Sequence, residues 1–151
     1  MIKDTYSKLK PKYSLPAFEE LNNEFEISLI EKEDFLLREI RRKIVDKLSN
    51  ICGPLEGAVS GEPHPISVIE FGNINDSEVK KSIDIYKKLM YFIRYGQETG
   101  ILADEKKDAE FIKSFFEQWK PIKADVIRIF SKLKESWKKE GDEKDDSNIF
   151  G

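Results

Sequence analysis

The chain has 151 residues and a mass of 17.6 kDa, which predicts one domain with a substantial core. Charged residues make up 36% of it, but ten Phe, five Tyr and two Trp require burial and argue against global disorder. The net charge of −3 argues against a general attraction to nucleic acid, and a single cysteine excludes an internal disulfide.

The first thirty residues predict three short pieces of structure. Residues 1–13 are rich in lysine and are expected to be flexible. A short helix is expected after Ser14 and Pro16, with Phe18, Leu21 and Phe25 on one face. Apolar and polar residues alternate over residues 25–29, which predicts extended backbone there.

A long second helix is predicted from Glu33 to Leu55, where Gly53-Pro54 should kink or end it. Its apolar residues recur at steps of three and four: Leu37, Ile40, Ile44, Leu48, Ile51 and Leu55. Residues 57–65 hold two Gly and two Pro, which favours turns. The following residues 66–71 are expected to form a short strand or a buried extended segment.

A third helix is predicted from Asp76, with Asp76 or Ser77 as its cap, to Glu98. Its apolar arc covers nearly half of the circumference, which is typical of a central helix. The residues of the arc are Val79, Ile83, Ile85, Tyr86, Leu89, Met90, Phe92 and Ile93.

Two further helices are predicted, from Asp104 to Trp119 and from Pro121 to Lys139. Lys120-Pro121 separates them, because the residue before a proline avoids helical geometry. So short a connection predicts an antiparallel helical hairpin. Residues 140–151 are strongly acidic and are expected to form a disordered tail.

The predicted fold is therefore mainly α, a single-domain bundle of four longer helices plus a short N-terminal helix. The helical domain spans residues 14–139, between a flexible N-terminal segment and the acidic tail. The residues expected in the core are Ile40, Ile44, Leu48, Ile83, Met90, Ile112, Phe115, Val126, Ile129 and Leu133.

The chain offers few of the residue types that catalysis and metal binding use. Paired Glu-x-x-His motifs or four Cys/His ligands cannot be built from one histidine, His64, and one cysteine, Cys52. No phosphate-binding, dinucleotide-binding or nucleophile-elbow motif occurs. We therefore expect no metal, no cofactor and no catalytic residue, with His64 in an exposed loop and Cys52 as a small buried residue.

Three of the five arginines, Arg38, Arg41 and Arg42, lie within five residues on the second helix. Arginine forms planar two-point contacts with carboxylate or phosphate, which lysine cannot reproduce. Local pairing with Asp34 and Asp46 is one interpretation. An acidic protein surface and nucleic acid are the two other partners that this arginine face could contact.

Two further features predict contact with a partner. Tyr91 and Tyr95 point away from the apolar arc of the third helix, and Arg94 lies at its margin; aromatic residues and arginine are enriched in binding hot spots. In the tail, Ile149 and Phe150 follow a run of acidic residues.

We therefore expect a non-enzymatic helical protein-interaction module, an adaptor or assembly subunit that binds a protein partner or a second copy of itself. A nucleic-acid-associated protein that uses the arginine face is the alternative. No apolar run approaches the roughly 18 residues of a membrane helix, and the polar start of the chain lacks a signal core. A cytoplasmic location without membrane attachment is expected.

Overall fold

The computed structural model describes residues 1–60 and 64–143. It confirms a mainly helical chain, because the described residues form six α-helices and one 3-10 turn and no strand. The helices are α1 (Ile2–Tyr13), α2 (Phe18–Phe25), α3 (Leu36–Val59), α4 (Pro65–Phe71), α5 (Asp76–Leu102) and α6 (Glu105–Glu143); the 3-10 turn is Ile27–Leu29.

The residues group into two compact units where one domain was expected. The first unit contains residues 1–50 and 89–120, and the second contains residues 51–88 and 121–151. The helices α3, α5 and α6 each contribute residues to both units.

The core of the first unit is built around aromatic rings. Phe115 is fully buried, and its ring lies 5.3 Å from that of Phe92, 5.6 Å from that of Phe25 and 5.3 Å from that of Trp119. Aliphatic residues from the expected stripe of α3 complete this core: Leu37, Ile40, Ile44 and Leu48. The 3.6-residue period therefore identified the buried face of α3 correctly.

The N-terminal residues form α1, so the prediction of a flexible segment was wrong. Tyr6 is buried, packs edge-to-face on Phe18 at 5.6 Å and donates a 2.6 Å hydrogen bond from its hydroxyl to the Pro16 carbonyl. At the far end of the helix, the Tyr13 hydroxyl donates to Glu105 Oε1 at 2.7 Å. These tertiary contacts order a helix whose sequence looks merely lysine-rich.

Residues 25–29 are not extended, although their apolar and polar residues alternate. Helix α2 ends at Phe25, Glu26 takes a left-handed conformation with φ of 52°, and the 3-10 turn follows. Ile27 is fully buried in this turn, while Leu29 is 65% exposed. The alternation thus reflects a tight turn with one buried side chain.

The second unit contains a smaller, mostly aliphatic core. Its buried apolar residues come from α3, α5 and α6 and are Cys52, Leu55, Ile85, Ile122, Val126, Ile129 and Leu133. Ile83 and Met90, which were expected in the core, are half-buried in the second and first unit respectively. The arc of α5 is therefore wider in the sequence than the face that is buried.

Helix α4 replaces the strand that was expected over residues 66–71. Pro65 occupies its first turn, and His64 Nδ1 accepts a hydrogen bond from the Ile66 N–H at 3.2 Å. No residue of α4 is buried; instead Glu70 accepts hydrogen bonds from α6, its carbonyl from the Ser136 hydroxyl and its carboxylate from the Trp137 indole.

The predicted break at Pro121 does not occur, and so neither does the helical hairpin. Helix α6 continues through Pro121, as α3 continues through Pro54. A proline inside a helix costs about 3 kcal/mol. Burial of Trp119 and Ile122 on either side offsets that cost, because each large apolar side chain contributes roughly 1.5–3 kcal/mol. Residues 1–60 and 64–143 therefore contain three long helices, α3, α5 and α6, where four were expected.

The helix starts were predicted more accurately. Asp104 caps α6, since its Oδ1 accepts the Lys106 N–H at 3.0 Å. The cap of α5 is Asn75 rather than Asp76 or Ser77, with Asn75 Oδ1 accepting the Glu78 N–H at 2.9 Å.

Candidate binding site

The three arginines of α3 divide into one buried and two accessible residues. Arg41 is only 7% exposed, so the prediction that it contacts a partner at the surface was wrong. Arg42 is exposed, and Arg38 is partly exposed. Neither pairs with Asp34 or Asp46: the nearest carboxylate is Glu39 Oε2, 3.2 Å from Arg42 Nη1 and 3.7 Å from Arg38 Nε.

Arg41 is held by a buried ion pair. Its Nε donates to Asp108 Oδ1 at 2.7 Å, and its Nη1 donates to the Gly96 carbonyl at 3.2 Å. Burial raises the pKa of the Asp108 carboxyl, and the hydrogen bond from Arg41 offsets part of that rise. Asp108 lies 67 residues from Arg41 in the chain, and sequence reasoning missed this partnership.

Two glycines of α5 allow close packing in the first unit, and one of them, Gly100, makes room for the Arg41 guanidinium. A Cβ atom at Gly100 would lie 2.9 Å from Arg41 Nη1, and one at Gly96 would overlap Val45 and approach Phe111 to 3.3 Å. The spacing Gly96-x-x-x-Gly100 lets α3 approach α5 closely on one face. This spacing is the signal in the sequence from which the burial of Arg41 could have been inferred.

Arg38 lies in a different environment, because its guanidinium stacks on Phe35. Arg38 Cζ is 4.5 Å from the Phe35 ring centroid, and the guanidinium makes no hydrogen bond with any described residue. Its Nε is buried and has no hydrogen-bond partner. The ring contact restricts the guanidinium on one side, while 36% of the Arg38 side chain stays exposed to solvent.

Phe35 is itself unusual in backbone and in exposure. Its φ is 58°, in the left-handed region that a bulky residue rarely adopts, and its side chain is 67% exposed. Such a conformation costs on the order of 1–3 kcal/mol. Here it presents an aromatic ring to solvent directly before the first turn of α3. Strain of this kind clusters at binding sites, so Phe35 is a second residue that sequence reasoning missed.

These residues line one cavity of about 530 Å³, which we call the arginine pocket. Its lining includes Phe35, Arg38, Arg42, Ala103 and Glu105, together with the buried Arg41–Asp108 pair. Both acidic residues are already engaged, since Asp108 binds Arg41, and Glu105 accepts from Tyr13 and lies 3.8 Å from Lys12 Nζ. The charge left to attract a ligand is therefore positive.

Two exposed apolar residues are chain neighbours of residues that line the arginine pocket. Ile101 is 84% exposed and Leu102 is 55% exposed, and they lie in the chain between two residues that line the pocket, Gly100 and Ala103. Ala103 closes α5 in a left-handed conformation with φ of 50°. The pocket thus combines free arginine donors with apolar surface.

The other predicted site residues form a separate groove of about 610 Å³ in the first unit. It is lined by Tyr91, Arg94, Tyr95, Glu98 and Ser114. Tyr91 is 61% exposed, whereas Tyr95 is half-buried with its ring 5.1 Å from that of Phe111. Arg94 donates to Gln97 Oε1 at 2.8 Å, so it is exposed but already partnered.

The remaining predicted residues line neither the arginine pocket nor the tyrosine groove in the described part of the chain. Ile149 and Phe150 lie outside the described residues. Cys52 is buried as expected, and burial raises its pKa from 9.0 to about 11. Within residues 1–60 and 64–143, no group of three or more His, Cys, Asp and Glu side chains is placed to hold a metal ion.

No family model, curated protein or solved structure matches this chain. In the described part of the chain, none of the helices has both the length and the apolar character that crossing a bilayer requires.

Proposed function

We propose that this chain is a non-enzymatic protein-interaction module and that the arginine pocket binds an acidic segment of its partner. The observation that carries the proposal is the Arg38 guanidinium, which lies against the exposed ring of Phe35 and donates no hydrogen bond to any described residue, its Nε standing 3.7 Å from Glu39 Oε2. A carboxylate would accept two parallel N–H bonds from such a fork.

Arg42 and the apolar rim support the same proposal. Arg42 donates one hydrogen bond to Glu39, and its other N–H groups can donate to a ligand. It therefore supplies a second cationic contact beside Arg38. The exposed side chains of Phe35, Ile101 and Leu102 provide apolar surface of the kind found at the centre of protein interfaces. An adaptor or assembly subunit in the cytoplasm fits this proposal, since Cys52 has no partner for a disulfide.

The test is affinity capture from the native cell with the immobilised chain and with the double variant Arg38→Lys, Arg42→Lys. Lysine keeps both charges but loses the planar fork, and we expect the captured partner to bind at least tenfold more weakly. Melting of the double variant should change little, because exposed ion pairs such as Arg42–Glu39 contribute about 0.2–1 kcal/mol.

Arg94→Lys is the matched control, because Arg94 lies in the tyrosine groove and not in the arginine pocket. Loss of binding in that variant, with retention in the double variant, would move the site to the tyrosine groove. Nuclease treatment separates a protein from a nucleic-acid partner. A captured partner that disappears with nuclease, and whose affinity falls linearly with the logarithm of salt concentration, would favour the nucleic-acid alternative.

A further inference from the structure

We propose that the occupant of the arginine pocket is the acidic segment of residues 140–151 from a second copy of this chain. The inference rests on the proposed function and names the partner for the same site. It would make the chain self-associating, with the pocket of one copy bound to the acidic segment of the next.

The charge of residues 140–151 is opposite to that of the free donors in the arginine pocket. The segment holds five carboxylates and a single lysine, namely Glu140, Asp142, Glu143, Asp145 and Asp146 against Lys144. Its net charge of −4, set against −3 for the whole chain, leaves residues 1–139 with a net charge of +1. The acidic excess of the molecule is therefore confined to this segment, while the free cationic donors of the pocket belong to Arg38 and Arg42.

The segment also combines acidic with large apolar residues over a short stretch of the chain. Ile149 and Phe150 follow Asp145 and Asp146 within five positions. The acidic and the apolar residues are therefore close neighbours in the chain. The pocket offers the complementary pair, with free arginine donors beside Phe35 and the exposed Ile101 and Leu102 next to it in the chain.

Each copy of the chain carries both the arginine pocket and the acidic segment, so identical copies can bind one another. The pocket and the segment are different surfaces, so copies join either head to tail or as a pair that exchanges segments reciprocally. Such a contact depends on protein concentration, and it weakens with salt because it rests on exposed charges.

The experiment measures peptide binding and self-association separately. A fluorescently labelled peptide of residues 140–151 is titrated into the full chain by anisotropy. Binding in the micromolar range is expected, at least tenfold weaker for the double variant Arg38→Lys, Arg42→Lys and for a peptide carrying Phe150→Ala. Arg94→Lys should leave peptide binding unchanged.

Sedimentation velocity of the full chain should show a mean mass that rises with concentration at low salt. The in-chain variant Asp145→Asn, Asp146→Asn, Phe150→Ala should lose that rise. The inference fails if the peptide does not bind at about 1 mM, if the arginine variant binds it equally well, or if the chain stays monomeric throughout. The proposed function stands or falls separately, on whether the arginine variant loses the partner captured from cells.

Discussion

Arg38, Arg41 and Arg42 are neighbours on one helix and differ because of what faces them. Arg41 faces Gly100, whose missing side chain leaves space for a buried guanidinium, and its Nη1 donates to the Gly96 carbonyl. Removing one member of a buried ion pair costs about 3–5 kcal/mol, because the other charge stays buried and uncompensated. Arg41 is therefore a structural residue, whereas Arg38 and Arg42 keep donors for a ligand.

Cys52 is the residue whose chemistry is most directly tied to burial. Burial raises its pKa from 9.0 to about 11, so the thiolate, which is the reactive form, is scarce in the folded chain at neutral pH. We predict that iodoacetamide alkylates native Cys52 slowly at pH 8 and much faster as the pH approaches 11. In denaturant at pH 8 the reaction should be rapid. A native thiol that reacts as quickly as the denatured one would contradict the burial of Cys52.

The same pKa shift predicts how stability depends on pH. The folded pKa is higher than the unfolded one, so the contribution of Cys52 is complete below pH 9 and is lost as pH rises through about 11. The free energy of unfolding of the wild type should therefore fall more steeply over this interval than that of Cys52→Ala. Urea titrations at matched pH values test this difference, and parallel curves would show that the thiol does not contribute.

At the scale of helices, the sequence predicts those parts that depend on local pattern. The apolar period identifies the buried face of α3 through Ile40, Ile44 and Leu48, and α6 begins next to Asp104, where its start was predicted. Local pattern fails to predict a helix whose formation or length depends on tertiary contacts. Helix α1 depends on the burial of Tyr6, and the continuity of α6 through Pro121 depends on side chains buried on both sides of the proline.

The candidate site follows the same division. The cluster of arginines predicted a binding surface on α3. The sequence could not show that Arg41 is buried and Arg38 is accessible, because the partner of Arg41, Asp108, lies 67 residues away in the chain. Phe35 was missed because no sequence pattern predicts a left-handed backbone conformation at an aromatic residue. The spacing of Gly96 and Gly100 was a readable sign of close helix packing, and its meaning depends on which residue faces it.

The close approach of α3 and α5 leads to a prediction at Gly96. A Cβ atom there would overlap Val45, and Phe111 would lie 3.3 Å away. We expect Gly96→Ala to destabilise the chain by about 1–3 kcal/mol, the usual cost of overpacking, despite the better helix propensity of alanine. Adding Val45→Ala should recover part of the loss, since it removes the overlapping methyl groups. Urea unfolding of both single variants and the double variant measures the coupling, and strictly additive effects would contradict this contact.

At the scale of the whole molecule, each compact unit joins two stretches that are distant in the chain. In the first unit, Phe25 comes from residues 1–50 and packs on Phe115 and Trp119 from residues 89–120. The Trp119 indole also donates to Glu24 Oε1 at 2.7 Å. Stability of this unit therefore depends on contacts that form only when both stretches are in place.

Phe115 lies at the centre of the aromatic contacts of the first unit. It is fully buried, and its ring contacts those of Phe25, Phe92, Phe111 and Trp119. Phe115→Ala should lower the free energy of unfolding by about 3–5 kcal/mol, because the cavity adds to the lost transfer energy of the ring. Phe35→Ala is the matched control: it removes an equal ring that is 67% exposed, so it should change stability far less. Thermal melts followed by far-UV circular dichroism compare the two. Equal losses in both variants would mean that the ring cluster around Phe115 does not hold the two stretches of the first unit together.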